Sequence, residues 1–185
     1  MKLKEICEIK NGSTPSTTDK ENYDGDIAWI TPKDLSMQNS RYIFKGERNI
    51  TQKGYNSCST SLFPKGTVLM SSRAPIGLLA IAGTECCTNQ GFKNLVVNEK
   101  ANSEYLYYYL KNRIKEIELL GSGTTFKEVS KTSLEKWEID IPEIEQQKNI
   151  AAILSSLDNK IALNRQLNDN LPTLVRSLTW VVANL

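Results

Sequence analysis

The chain has 185 residues, with 23 Lys and Arg against 21 Asp and Glu, a formal charge of +2 and no histidine. At 39% hydrophobic and 24% charged it has the composition of an ordinary soluble protein, long enough for one domain with a real core. The missing histidine removes the commonest general base, every Ser-His or Cys-His nucleophile and most metal sites.

Residues Met1 to Glu8 carry apolar Leu3 and Ile6 in a short element of undecided type. NGSTPSTTDKENYDGD comes next as a polar loop. IAWITP, from Ile27, reads as a buried strand stopped by Pro32, and the region to Asn56 has mixed, loop-like character. GTVLMSS from Gly66 and GLLAIAG from Gly77 read as two strands joined by the turn Arg73-Ala74-Pro75-Ile76, and NLVVN from Asn94 as a third.

Asn102 or Ser103 is placed to cap a helix running to Leu120, with Leu106, Leu110, Ile114 and Ile117 on one face and Gly121 as its C′ residue. Tyr105, Tyr107, Tyr108 and Tyr109 ride on that helix and are expected to pack rather than stack on bases. GSGTTFKEVS is expected to be a flexible loop before the strand-like WEIDI and Pro142. The four cysteines Cys7, Cys58, Cys86 and Cys87 lack zinc spacing and read as free thiols. No phosphate-cradling glycine loop occurs, no metal or cofactor is expected, and no apolar run reaches membrane-spanning length. MKLKEICEIK does not resemble a signal peptide, so a cytoplasmic protein is expected, and the missing histidine and motifs point to a binding protein and not an enzyme.

The C-terminal segment carries the strongest pattern. With Ile150 at position a of a heptad, Leu157, Asn164, Leu171 and Leu178 share that position. Position d holds Ile153, Lys160, Leu167, Leu174 and Val181, and position e adds Leu154, Ile161, Val175 and Val182. Glu143 and Glu145 suit a first turn, where the helix dipole favours acids. From Glu143 to Leu171 such a helix spans about 44 Å at ~1.5 Å per residue. Pro172 is expected to kink or stop it near Leu171, leaving LVRSLTWVVANL as a second short helix. Amphipathic helices usually bury their stripe in their own core. The length of the repeat and the lone Asn164 at a favour a partner helix instead, through Ile150, Ile153, Leu154, Leu157, Ile161, Asn164, Leu167 and Leu171. The expected layout is therefore α+β: a globular domain over 1–142 and a long helix over 143–185.

Charge adds one further clue. Between Arg41 and Arg73 stand Arg41, Lys45, Arg48, Lys53, Lys65 and Arg73 against the single acid Glu47, a local +5 that is either a phosphate-binding surface or a solvated face.

In order along the chain, LKEICEIKNGSTP, IAWITPKDL, GTVLMSSRAPIG, NQGF, GTTFKEVSKTSLEKWEIDIP and EQQKNIAAILSSLDNKIALNRQL resemble the specificity subunit of type I restriction-modification systems. The resemblance covers nearly the whole chain. It implies a target recognition domain that reads half of a bipartite site in double-stranded DNA. It also implies a spacer helix that sets the distance between two such domains and docks methyltransferase subunits. Methyl transfer would belong to those subunits, using S-adenosylmethionine, and cleavage to a restriction motor subunit. The adenine methyltransferase signature [DN]PP[YF] does not occur here.

Full-length members carry two recognition domains and two helices paired antiparallel. This chain looks like half of that, either a half-length protein that forms a homodimer or a fragment. In a homodimer a true two-fold axis would replace the internal repeat, with Asn164 beside it. DNA contacts are expected from Lys33, Arg41, Arg48, Arg73, Asn89, Gln90, Thr124, Thr125 and Lys127, with base readers sought among Arg73, Asn89, Gln90 and Lys33, then Thr124, Thr125 and Lys127, and with Gly12 to Thr17 facing the duplex. Asn89 and Gln90 are equally suited to bracing turns, and Arg73 to pairing with an acid. Two rival readings stand beside this one: a free-standing dimeric DNA-binding regulator, and a coiled-coil assembly protein that binds no DNA.

Overall fold

A computed structural model describes residues 1–123 and 127–183, with 172–183 described for the backbone alone. The chain divides into two units, Met1–Ala151 and Ala152–Leu185.

The first unit opens with a 3-10 turn, Leu3–Glu5, and strand β1, Cys7–Asn11. A second 3-10 turn leads into β2, Tyr23–Ile27, so the expected polar loop ends four residues earlier than its composition suggests. Strand β3, Trp29–Ile30, is short because Pro32 opens helix α1, Pro32–Met37. The proline expected to end a strand here starts a helix instead. Its fixed φ suits the first helical turn, and Thr31 with Asp34 forms a capping box. Strand β4 is Tyr42–Ile43 and helix α2 is Gln52–Asn56. The expected strands then appear as β5, Val68–Ser71, β6, Leu79–Ala82, and β8, Phe92–Val97, with the short β7, Cys87–Thr88, between the last two.

Five strands form one sheet in the order β1-β8-β5-β6-β4, antiparallel except where β4 joins β6. Both faces are covered, which is why Val68-Leu69-Met70 is continuously apolar. Strand alternation sends Val68, Met70, Ile81 and Leu95 to one cluster and Leu69, Ala80, Ala82 and Phe92 to the other. A separate β3–β7 pair carries a small third cluster of Tyr23, Trp29, Ile50 and Cys87.

Helix α3, Ser103–Lys111, is capped by Asn102, whose Oδ1 accepts from the Tyr105 amide at 2.9 Å. Tyr105, Tyr107 and Tyr109 are buried in the larger cluster, as their packing role requires. The expected single helix to Leu120 is two: the chain breaks at Asn112-Arg113 before α4, Ile114–Leu119. Gly121 is not a left-handed C′ residue; among the described glycines positive φ falls at Gly66, Gly77 and Gly123. Thr124, Thr125 and Phe126 lie outside the described residues. Downstream, Ser130 caps α5, Lys131–Lys136, a helix that the sequence pattern does not announce. WEIDI forms no strand; Glu138 bridges Lys2, and the Ile139 amide donates to Met1 O at 2.8 Å.

The long helix α6, Ile144–Ala183, is a single element of 40 residues. It continues through Pro172, so neither a stop at Leu171 nor a separate second helix occurs; one lost N–H bond is a small fraction of a helix this long. Its start belongs to the first unit, where Gln147 and Ala151 are buried and Ile150 packs on the larger cluster. Gln147 Oε1 accepts from the Asn102 amide at 3.0 Å, and its Nε2 donates to Lys100 O at 3.0 Å and Pro142 O at 2.8 Å.

Candidate nucleic-acid interface

Antiparallel pairing puts the end of β1, the end of β5 and the start of β8 at one edge, since Asn11 pairs with Lys93 and Ser71 with Phe92. The segments leaving that edge are fastened to each other through the backbone. Thr88 O accepts from the Ser13 amide at 2.9 Å, and the Asn89 amide donates to Ile30 O at 3.1 Å. The Ser72 amide donates to Gly91 O at 2.8 Å, and the Val129 amide to Ser72 O at 2.9 Å. Thr14 Oγ1 donates to Gln90 Oε1. Gly12 is required here: a Cβ on it would lie 2.2 Å from Thr88 O and 2.4 Å from Asn89 O. Segments 12–14, 30–33, 72–73, 88–91 and 127–129 thus form one loop cluster.

Of the residues expected to read DNA, Lys33, Arg73, Asn89, Gln90 and Lys127 fall in this cluster. Gln90 and Lys127 are exposed, and Asn89 Oδ1 accepts from the Gly91 amide at 2.9 Å, bracing its own turn. Lys33 reaches Glu47 at 2.5 Å, and that carboxylate raises the pKa of its ammonium. Arg73 Nε donates to Glu128 Oε2 at 3.0 Å.

Arg41 and Arg48 lie elsewhere. Arg41 is held by Glu104 of α3 at 3.1 Å with its side chain only 12% exposed, a structural ion pair and not a free surface cation. Arg48 stacks over the Tyr23 ring at 3.7 Å and faces Asp24 at 3.8 Å. Lys53 pairs with Asp19 at 2.9 Å and Glu21 at 2.5 Å. The +5 window is therefore not a +5 surface: four of its six cations, Arg41, Arg48, Lys53 and Arg73, meet acids from outside the window. Lys45 and Lys65 are exposed, and no ion pair to either, or to Lys127, is found among the described residues.

Two further participants, Lys93 and Glu128, are not marked by residue type alone. Lys93, only 4% exposed, donates from Nζ to Glu128 Oε1 at 3.2 Å and to Ser72 Oγ at 3.3 Å. Burial pushes the Glu128 carboxyl up, but hydrogen bonds from Lys93 and Arg73 outweigh it and hold the pKa below the ordinary carboxylate value. The available signal is a lone charge inside the apolar strand FKNLVV, where an unpaired lysine would be too costly to keep.

In the second unit, Ile153, Leu157, Ile161, Leu167 and Leu171 are 48–64% exposed, and Asn164 is exposed with them. Leu154 is half-buried. Ile150 leaves the expected pairing stripe, because the first turns of α6 pack into the globular core. Among the described residues no helix is long and apolar enough to cross a membrane, and no group of three or more His, Cys, Asp or Glu is arranged to hold a metal.

Loops gathered at one sheet edge and a long helix with exposed apolar residues are the two surfaces that the described residues offer for contact. The chain belongs to the type I restriction modification DNA specificity domain family, whose model matches residues 1–173. It is 45% identical over 185 residues to the type I restriction enzyme MjaIX specificity subunit of Methanocaldococcus jannaschii, covering 98% of this chain and 43% of that one. The HindI specificity subunit of Haemophilus influenzae is 28% identical over 175 residues, covering 90% and 38%. The solved HsdS subunit from Thermoanaerobacter tengcongensis shares the fold, with TM-score 0.68 and 22% identity over 90% of this chain and 38% of that one. So does a chain from a type I restriction-modification assembly, with TM-score 0.70 and 24% identity over 96% and 42%. The chain spans less than half the length of these relatives.

Proposed function

We propose that this chain reads one half of a bipartite site in double-stranded DNA through the loop cluster, and docks methyltransferase subunits along α6. Two copies pair antiparallel through the stripe from Ile153 to Leu171, with Asn164 near the two-fold axis. The observation that carries the reading is the cluster itself. Arg73, Asn89, Gln90, Lys33 and Lys127 come from separate parts of the chain, yet share one edge of a domain of the DNA-specificity family. Arg suits guanine and Asn or Gln suits adenine in the major groove, while lysines position the backbone.

Pairing is supported by the exposed leucines and isoleucines of the second unit, an apolar stripe that a soluble protein covers. The chain adds no catalytic group of its own in this scheme. S-adenosylmethionine binds the methyltransferase partner, and cleavage belongs to a restriction subunit.

Light scattering of the chain, alone and with a methyltransferase subunit of the same system, tests the assembly. A mass near twice 20.8 kDa that rises with the methyltransferase is expected. A monomer that ignores the methyltransferase overturns it. A dimer that ignores the methyltransferase yet retains duplex DNA is instead the free-standing regulator. No duplex retention at any salt concentration leaves a coiled-coil assembly protein.

A further inference from the structure

We infer that Glu128 is a specificity-determining positioning residue, anchored from below by the buried Lys93 and setting the guanidinium of Arg73 for guanine readout. The inference rests on the proposed DNA contact of the loop cluster. Three observations converge on it.

The first is the anchor. The Lys93 ammonium is fixed, since the residue is 4% exposed and bonded to Ser72 Oγ and Glu128 Oε1. Lys93 sits on β8 between Asn11 of β1 and Met70 of β5, at the sheet edge from which the loops leave. The second is the division of the carboxylate. Oε1 faces the buried lysine and Oε2 faces Arg73, so one rigid carboxylate joins an interior cation to a surface cation.

The third is the way Arg73 is held. Its backbone bridges Glu128, and the turn after it is fastened by Ser71, whose Oγ donates to Pro75 O at 2.6 Å and accepts from the Leu78 amide at 2.8 Å. Among the described residues, only Nε of Arg73 is engaged. Its terminal amino groups have no partner among the described residues, and the side chain is 52% exposed. A guanidinium reads guanine with a fork of two donors, and a second acceptor holding the remaining face removes its rotamer freedom before DNA arrives. Two cations share the one carboxylate, so Lys93, Glu128 and Arg73 together keep a net positive charge for the duplex.

The test is a double-mutant cycle on the full chain, using a duplex pool with randomised positions to find the preferred sequence. Discrimination is the affinity ratio between that duplex and a scrambled one. Glu128→Gln is expected to lower discrimination by about tenfold, within the range for one lost bidentate base contact. Affinity for the scrambled duplex should hold or rise, and the slope of log K against log salt should steepen by up to about 0.9, since one acid no longer competes for the cations.

In an Arg73→Ala background, Glu128→Gln should change discrimination less than about twofold, because Glu128 works through Arg73. An equal loss with and without Arg73, or no loss in either, overturns the inference while leaving the DNA reading intact. Failure of the unmodified chain to enrich any sequence overturns the DNA reading itself, and the inference with it. Should Glu128→Gln not fold, Glu128→Asp keeps the charge for Lys93 but is too short to span both cations. It should show the same loss of discrimination, and undiminished discrimination overturns the inference.

Discussion

Replacing Gln147 should be the most damaging single change at the start of the long helix. The side chain is 1% exposed and satisfies three groups outside the helix: the Asn102 amide, Lys100 O and Pro142 O. Asn102 is itself the N-cap of α3, so one amide ties the starts of α3 and α6 together. Gln147→Leu keeps the volume and removes all three bonds. At about 1 kcal/mol net for each bond, and more wherever the abandoned group stays dry, the loss is about 3 kcal/mol. Urea denaturation monitored by circular dichroism measures it, with Gln146→Leu as the exposed neighbour and control. A loss below about 1 kcal/mol, or an equal loss at Gln146, would refute the claim that this amide fixes the helix start.

Gly12→Ala should cost about 2 kcal/mol through overpacking, because the new methyl meets the backbone carbonyls of Thr88 and Asn89 and the buried Thr88 hydroxyl, which is itself bonded to Asn94. Duplex retention should fall with it as segment 12–14 is pushed off the cluster; an unchanged melting temperature would contradict the close approach. Cysteine labelling probes the interior. Burial, with Glu135 adding to it, pushes the Cys7 thiol up to about 12. Burial and Cys87 push Cys86 to about 12, and burial pushes Cys87 to about 11. At pH 8 a thiol near 12 is ionised in about one molecule in ten thousand, and thiolate is the reactive form. Iodoacetamide at that pH should therefore modify the half-buried Cys58 alone in the folded chain and all four after denaturation, as read by peptide mass mapping. Labelling of Cys86 in the folded chain at the rate of Cys58 would refute it.

Much of the architecture is legible in the sequence because it depends on near neighbours along the chain. The apolar runs GTVLMSS and GLLAIAG contain strands since a strand buried on both faces needs little more than continuous hydrophobicity. Asn102 announces a helix start because capping is a local act between a side chain and the amide three residues on. The heptads of α6 and the ordered fragments that mark the family are equally linear signals. Where local rules err, a competing choice is close in energy. Pro32 can end a strand or open a helix, and the capping pair Thr31 and Asp34 selects the helix.

The site is legible only in part. Residue type marks Arg73, Asn89, Gln90, Lys33 and Lys127, but that they share one edge comes from the strand order, which residue type does not encode. The basic window from Arg41 to Arg73 misleads because charge counted along the chain ignores partners brought from afar, such as Glu104 for Arg41 and Glu128 for Arg73. Pattern and composition are enough for an α+β domain, a long amphipathic helix and the family. Only folding settles which cations are neutralised, which heptad residue sinks into the core at Ile150, and that a buried Lys93 stands beneath Glu128. Local propensity acts over a few residues, whereas ion pairing and burial act over a few ångströms, and the tertiary fold alone makes distant residues near.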